Sequence, residues 1–121
     1  MGEESMQTTT ELLVWAVVAH LVADWIFQND WMAVNKVDLR HPAAWTHASV
    51  HTLFMWLIFP WSIALLIGIT HLLIDTRKPV AWWMKVVKRT KPGPHYFMVE
   101  MGLDQVFHLV VLALVVLILY R

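Results

Sequence analysis

The sequence predicts an all-α fold: a transmembrane four-helix bundle, up-down-up-down, with a short amphipathic interfacial helix between the third and fourth helices. Three observations predict it. The chain is 59% hydrophobic and 15% charged, with a mean hydropathy of +0.57, against roughly 45–50% and about 25% in ordinary soluble domains. Four apolar runs are separated by polar or proline-bearing segments. The few ionisable groups inside those runs recur four residues apart, a spacing that puts them on one helix face. At 121 residues the expectation is a single domain, 1–121.

Thr8-Thr9-Thr10-Glu11 offers an N-cap and an acidic first turn for a first helix over the apolar run Leu12 to Phe27. Glu3, Glu4 and Glu11 precede that run without Lys or Arg, and no small-residue cleavage site follows, so it is expected to be retained rather than removed as a signal peptide. Gln28-Asn29-Asp30 ends the helix and opens a polar segment to His41, with Trp31 and Met32 returning to the interface. Pro42 suits a first helical turn, so a second helix runs from His41-Pro42 to about Phe59. Phe59-Pro60-Trp61 is a tight uncharged turn, and a third helix follows from about Trp61 to Thr76. Arg77-Lys78-Pro79 stops it. Val80 to Lys91 sets Val80, Trp83, Met84 and Val87 against Lys85, Lys88 and Arg89, the pattern of a helix lying on a membrane surface with its tryptophans in lipid. After a loop with Pro92, Gly93 and Pro94, a last helix runs from about Phe97 to Tyr120. The first three runs are somewhat short of the ~20 residues that cross a bilayer core, a mismatch that flanking tryptophans and local thinning would absorb.

Lys36, Arg40, Arg77, Lys78, Lys85, Lys88, Arg89 and Lys91 fall on one side of this topology and Arg121 alone on the other. The basic side is therefore expected to be cytoplasmic, in a multi-pass protein of the bacterial inner membrane with both termini outside the cytoplasm. Zero formal net charge gives no nucleic-acid footprint, and the absence of cysteine removes disulfides, thiolate metal sites and cysteine nucleophiles. The tryptophans near the two boundaries read as interfacial belts.

The four-residue spacing occurs at His20/Asp24, His47/His51, His71/Asp75 and Asp104/His108, which takes up five of the seven histidines and three of the five aspartates. In an up-down-up-down bundle these pairs sit at the end of the first helix, the start of the second, the end of the third and the start of the fourth. All four then lie at one depth, on the cytoplasmic side. Helix axes about 8–10 Å apart let such side chains meet at the bundle centre. Eight nitrogen and oxygen ligands exceed the four that one zinc takes. The expectation is a divalent-metal centre, dinuclear by the count of ligands, with zinc, manganese, iron or nickel all compatible with the donors. Two ions would activate a water and clamp an ester or phosphoester. Gln28 and Glu100 extend the stripes, Glu100 as a candidate general base. Arg40, Arg77 and Lys78 lie just beyond, where they would hold a phosphate or an anionic headgroup. Thr46 and Thr70 precede ligands and are expected to bond helix carbonyls.

The ordered set His20-Leu-Val-Ala-Asp24-Trp-Ile-Phe-Gln28, Trp31-Met-Ala-Val-Asn35-Lys36, His47-x3-His51, Thr70-His71-x2-Ile74-Asp75 and Asp104-Gln105-x2-His108 covers nearly the whole chain. It resembles small bacterial and phage membrane proteins grouped as a domain of unknown function with an H-x3-D-F-x-L-Q-x3-M-A-x-N-K opening. Trp25 and Phe27 stand where that pattern has phenylalanine and leucine. The resemblance implies the bundle and marks Gln28, Asn35, Lys36 and Gln105. More distantly, the chain is similar to inner-membrane proteins classed as metal-dependent hydrolases on similar His/Asp grounds.

The function expected from the residues is hydrolysis of an ester or phosphoester of a lipid or other amphiphile reaching the metal centre from the cytoplasmic leaflet. Membrane lipid is the expected partner, and a homo-oligomer is compatible with so small a bundle. The rival readings are a histidine-rich di-iron oxidoreductase, and a non-enzyme that passes metal ions or protons or holds a haem between two histidines.

Overall fold

The computed structural model describes residues 2–120, with side chains for residues 8–120. Within them the chain is helical throughout, without strands: α1 (Gly2–Trp25), α2 (Asp30–Asn35), α3 (Pro42–Trp56), α4 (Trp61–Asp75), α5 (Lys78–Trp83) and α6 (Tyr96–Leu119), with a π-helical turn Met84–Lys88 continuing α5. The starts of α2 and α3 follow from their caps. Asn29 accepts from the Met32 N–H, and His41 Nδ1 accepts from the Ala43 N–H ahead of Pro42. Arg77 and Arg89, both at left-handed backbone angles (φ 62° and 52°), break α4 from α5 and close the π-helical turn. Thr90 N–H then bonds the Met84 carbonyl at 2.9 Å.

The four long helices pack in a closed ring, α1 against α3 and α6, and α4 against α3 and α6. Their directions alternate, which two sets of contacts show. An apolar half of the core joins Ala16 and Ala19 of α1, Met55 at the end of α3 with Phe59 beyond it, Ala64 and Ile67 early in α4, and Leu112 and Val116 late in α6. The polar half joins the late residues of α1 and α4 to the early residues of α3 and α6. Each inner stripe steps by three or four residues, as in Asp104, His108, Leu112 and Val116 of α6. The α3–α4 seam is the closest: a Cβ on Gly68 would lie 2.0 Å from Thr52 Oγ1, so only glycine fits there.

Four expectations need correction. Thr8 to Thr10 do not cap α1 but lie inside it, the helix having already begun at Gly2. The polar segment before His41 contains a helix, α2, whose Met32 turns into the protein rather than to an interface. The Val80–Lys91 segment does not lay its whole apolar side outward: Val80 and Met84 are buried in the bundle, and only Trp82, Trp83, Val86 and Val87 face out. The fourth concerns membrane spans. Among the described residues only α6, 24 residues with a mean hydropathy of 2.3, is long and apolar enough to cross a membrane, while α4 is apolar but shorter. Fifteen residues, the length of α3 and of α4, rise only about 22 Å. Four complete spans therefore do not follow from helix length. Arg121 lies outside the described residues, as do the side chains of Glu3 and Glu4.

Candidate metal centre

All eight side chains predicted from the four-residue spacing converge in the polar half of the bundle, none more than 6% exposed. Two carboxylates organise them. Asp24 Oδ1 lies 2.8 Å from His51 Nε2 and 3.1 Å from His47 Nε2; its Oδ2 is 3.4 Å from His20 Nε2 and accepts from Gln105 Nε2 at 3.2 Å. Asp75 Oδ2 lies 2.8 Å from His71 Nε2 and 3.4 Å from His47 Nε2, while Oδ1 is 3.3 Å from His108 Nε2 and 3.4 Å from Lys36 Nζ. His47 thus sits between the two carboxylates. The rings of His51 and His71 stack with centroids 3.5 Å apart, and His71 and His108 approach to 4.3 Å.

Proximity here is not the same as hydrogen bonding. His47 Nδ1 and Nε2, His71 Nε2, His108 Nε2, Asp75 Oδ1 and Asp104 Oδ1 are buried without a hydrogen-bond partner, although several lie within 3.4 Å of an opposite group. More than about nine in ten buried polar groups are satisfied in folded proteins, so six orphans around one point call for an explanation. Acceptors crowded at this density suit a shared cation, and four of the residues concerned, His47, His71, His108 and Asp75, fall in ligand sets that an ion could occupy. The tautomer of His108 agrees. Its Nδ1 lies 2.6 Å from the Asp104 carbonyl, which can only accept, so Nδ1 carries the proton and donates it. In the neutral ring Nε2 then presents a lone pair toward the cluster, oriented as a metal-binding histidine is by a backbone carbonyl.

Two sets of ligand atoms lie close enough to share an ion. Asp24, His47, His51 and His71 offer one atom each, all within 4.8 Å of one another; His71, Asp75 and His108 form a second set with His71 in common. Three imidazoles and a carboxylate suit zinc, manganese or iron(II), with no sulfur to bias the choice. His20 and Asp104 belong to neither set. His20 Nε2 faces Gln105 Oε1 at 3.1 Å, and Gln105 in turn donates to Asp24, so His20 holds the glutamine that holds a ligand. Asp104 lies 3.7 Å from His108 Nδ1 through Oδ2 and positions that ring from behind.

The other predicted positions are not gathered into the cluster. Glu100 accepts from Arg77 Nη1 at 2.7 Å, a half-buried pair joining the end of α4 to the start of α6, so neither stands free as a base or a phosphate ligand. Arg40 is fully at the surface and pairs with Asp38, and Lys78 is exposed. Gln28 keeps a buried, unpartnered Oε1 without reaching the eight. Thr46 and Thr70 donate to the Pro42 and Ile67 carbonyls, as expected of them. Two residues that spacing alone did not single out are central: Gln105, bridging His20, Asp24 and Asp104, and Lys36, 5% exposed, whose ammonium meets Asp75. Only the resemblance to the H-x3-D opening family had marked them.

A small cavity borders the cluster, lined by His20, His51, His71 and His108 together with Thr70, Ile74 and Val111 along the α4–α6 seam. At about 10 Å³ it accommodates a single water and no organic molecule. No curated protein and no solved structure matches the chain. Residues 12–121 match the family described as protein of unknown function (DUF3307), and the chain belongs to that family.

Proposed function

We propose that the chain is a membrane protein whose four-helix bundle holds a divalent-metal centre on the cytoplasmic side, and that this centre hydrolyses an ester or phosphoester of an amphiphile. The observation that carries the metal is the set of orphaned, converging His and Asp atoms in the bundle core. The membrane setting is supported by what surrounds them. All eight tryptophans lie on the outer surface, and Val14, Val18, Leu53, Leu65, Leu66, Ile69, Leu73, Val110, Leu114 and Leu117 are each exposed by more than two-fifths of their area. A soluble monomer rarely leaves such continuous apolar surface to water. In this reading the 15-residue helices cross with local thinning of the bilayer, and the basic loops fix the orientation.

Two ion positions are geometrically available, through the ligand sets that share His71. A bound ion would act as Lewis acid and lower the pKa of a water, and the small cavity beside His71 and His108 is the place for that water. The chain's own contribution is to hold the imidazoles in the ligating tautomer, as the Asp104 carbonyl does for His108. The reacting bond would be presented at the α4–α6 seam by a lipid-like molecule that stays largely in the bilayer.

A second reading, metal or proton handling without catalysis, is favoured by the same cavity, which holds a water but no substrate. The test is metal analysis of the protein purified in detergent, with hydrolysis of short-chain nitrophenyl esters and of a nitrophenyl phosphodiester. Bound zinc or manganese, turnover lost on chelation and restored by the metal, and loss of both in His71→Ala are the expected results. Bound metal without turnover, with ion uptake into vesicles, supports the second reading; no metal in the wild type overturns the metal centre in both and leaves only proton handling.

A further inference from the structure

We propose that Lys36 is the resident second cation of this cluster, so that the centre holds one divalent ion, at Asp24, His47, His51 and His71, and an ammonium in place of a second ion at Asp75. The inference rests on the metal reading above and narrows it.

Lys36 follows α2, and its side chain runs inward from that short helix instead of out to solvent. Nζ approaches Asp75 Oδ1 to 3.4 Å, the same oxygen that lies 3.3 Å from His108 Nε2. That oxygen is the carboxylate donor nearest His108, and so the one a second ion would use. An ion bound to it at about 2.1 Å would stand no more than about 5.5 Å from the ammonium. Nothing screens the two there, since Lys36, Asp75 and His108 are all buried. Repulsion between a dication and an ammonium at that distance in a water-poor core weighs against a second ion.

Charge balance leads to the same count. Among the described residues, the cluster contains three carboxylates, Asp24, Asp75 and Asp104, and one ammonium, Lys36, while ligating imidazoles are neutral. Two negative charges remain, and one divalent ion cancels them. A second would leave the core with two uncompensated positive charges, and protonating Asp104 would only widen that excess. Arg77 and Glu100 cancel each other nearby and do not enter. The second ligand set also has a shape an ammonium suits: only three residues, one of them shared with the first set. Lys36 satisfies Asp75 while leaving His71 to the first ion.

The experiment is metal stoichiometry of the full chain in detergent, saturated with zinc, desalted and measured by inductively coupled plasma mass spectrometry beside protein by amino-acid analysis. The wild type is expected to hold one zinc per chain and Lys36→Arg one. Lys36→Glu, which brings the cluster to four negative charges and sets a third ligand beside Asp75 and His108, is expected to rise to two. Two zinc ions in the wild type overturn the assignment to Lys36 while leaving the metal centre standing. One in Lys36→Glu overturns it as well; if that variant does not fold, the metal positions in wild-type crystals decide, a peak between Asp75 and His108 overturning the assignment. No zinc in the wild type would instead remove the metal centre itself. An anomalous-scattering map of zinc-soaked crystals gives an independent readout: one peak beside His47 and His51, none between Asp75 and His108.

Discussion

Gly68→Ala probes whether the α3–α4 seam sets the dimensions of the metal centre. The added Cβ would lie 2.0 Å from Thr52 Oγ1 and 3.2 Å from Thr52 Cβ. Ordinary contact begins near 3.4 Å, so the hydroxyl must yield by about 1.4 Å. Thr52 is poorly placed to give way: it is β-branched, within a helix, and its hydroxyl donates to the Ala48 carbonyl at 2.8 Å. Rotation sacrifices that bond, and the alternative is separation of the helices. Overpacking of this kind costs about 1–3 kcal/mol. The site feels it directly, because His51 precedes Thr52 and His71 follows Gly68 by three residues, and their rings stack at 3.5 Å. Opening that contact by about 1 Å exceeds the ~0.5 Å within which a binding constellation must be held. The expected outcome is a lower unfolding midpoint in detergent and zinc affinity weakened about tenfold or more, or about 1.4 kcal/mol, read by competition with a chromophoric chelator. Thr52→Ala, nearly silent alone, should restore most of both when combined with Gly68→Ala, since it removes the clashing hydroxyl. Unchanged stability and affinity in Gly68→Ala, or a double variant no better than the single, would refute the claim that this close approach shapes the site.

Two further outcomes follow from the connections around the bundle. Arg77 combines a left-handed backbone with the ion pair to Glu100. Arg77→Ala loses the pair and keeps the strain, whereas Arg77→Gly loses the pair and relieves it, so the glycine variant should be the more stable by about 1 kcal/mol in thermal unfolding; the reverse order would mean that the backbone there is not strained. Asn29→Ala removes the acceptor for the Met32 N–H and should cost about 1 kcal/mol. Its readout is hydrogen exchange: the Met32 amide should lose protection in Asn29→Ala and keep it in Asn29→Asp.

The convergence of eight inner His and Asp side chains was legible because two simple regularities coincide in this chain. Four-residue spacing aims each pair along one helix face, and alternating helix direction, expected of an up-down-up-down bundle, brings the pairs to one level. His71 and Asp75 accordingly point into the bundle, 3% and 2% exposed, and not outward. The helix ends were less legible where no strong stop or cap governs them: three threonines resemble a start signal even when the helix has begun six residues earlier, at Gly2. Val80 and Met84, apolar and four apart, look alike whether they face lipid or a neighbouring helix, and only the packing of α5 on α4 and α6 decides.

The division of labour inside the cluster depends on angles that spacing does not encode. His20 and His51 belong to equivalent pairs, yet His51 faces Asp24 as a candidate ligand while His20 is engaged by Gln105. Gln105 follows Asp104 directly, and a one-residue step turns a side chain by 100° about the helix axis, so periodicity places it off the inner stripe. Its two-bond amide reaches back across the turn to Asp24 all the same. Lys36 was hidden for a different reason. In sequence it is one of eight cations assigned to the basic side of the topology, and such residues ordinarily stay in water. What sends it inward is the cap on α2: Asn29 starts a helix of six residues, Met32 anchors it on the bundle, and Lys36 emerges at its end beside α4. A buried ammonium is tolerated only where a carboxylate is already in place to receive it, and Asp75 is that group. The same carboxylate cannot serve Lys36 and a second metal ion equally well. If the cluster holds metal as proposed, the number of ions it takes is set by a residue outside the four-helix motif that made the cluster visible.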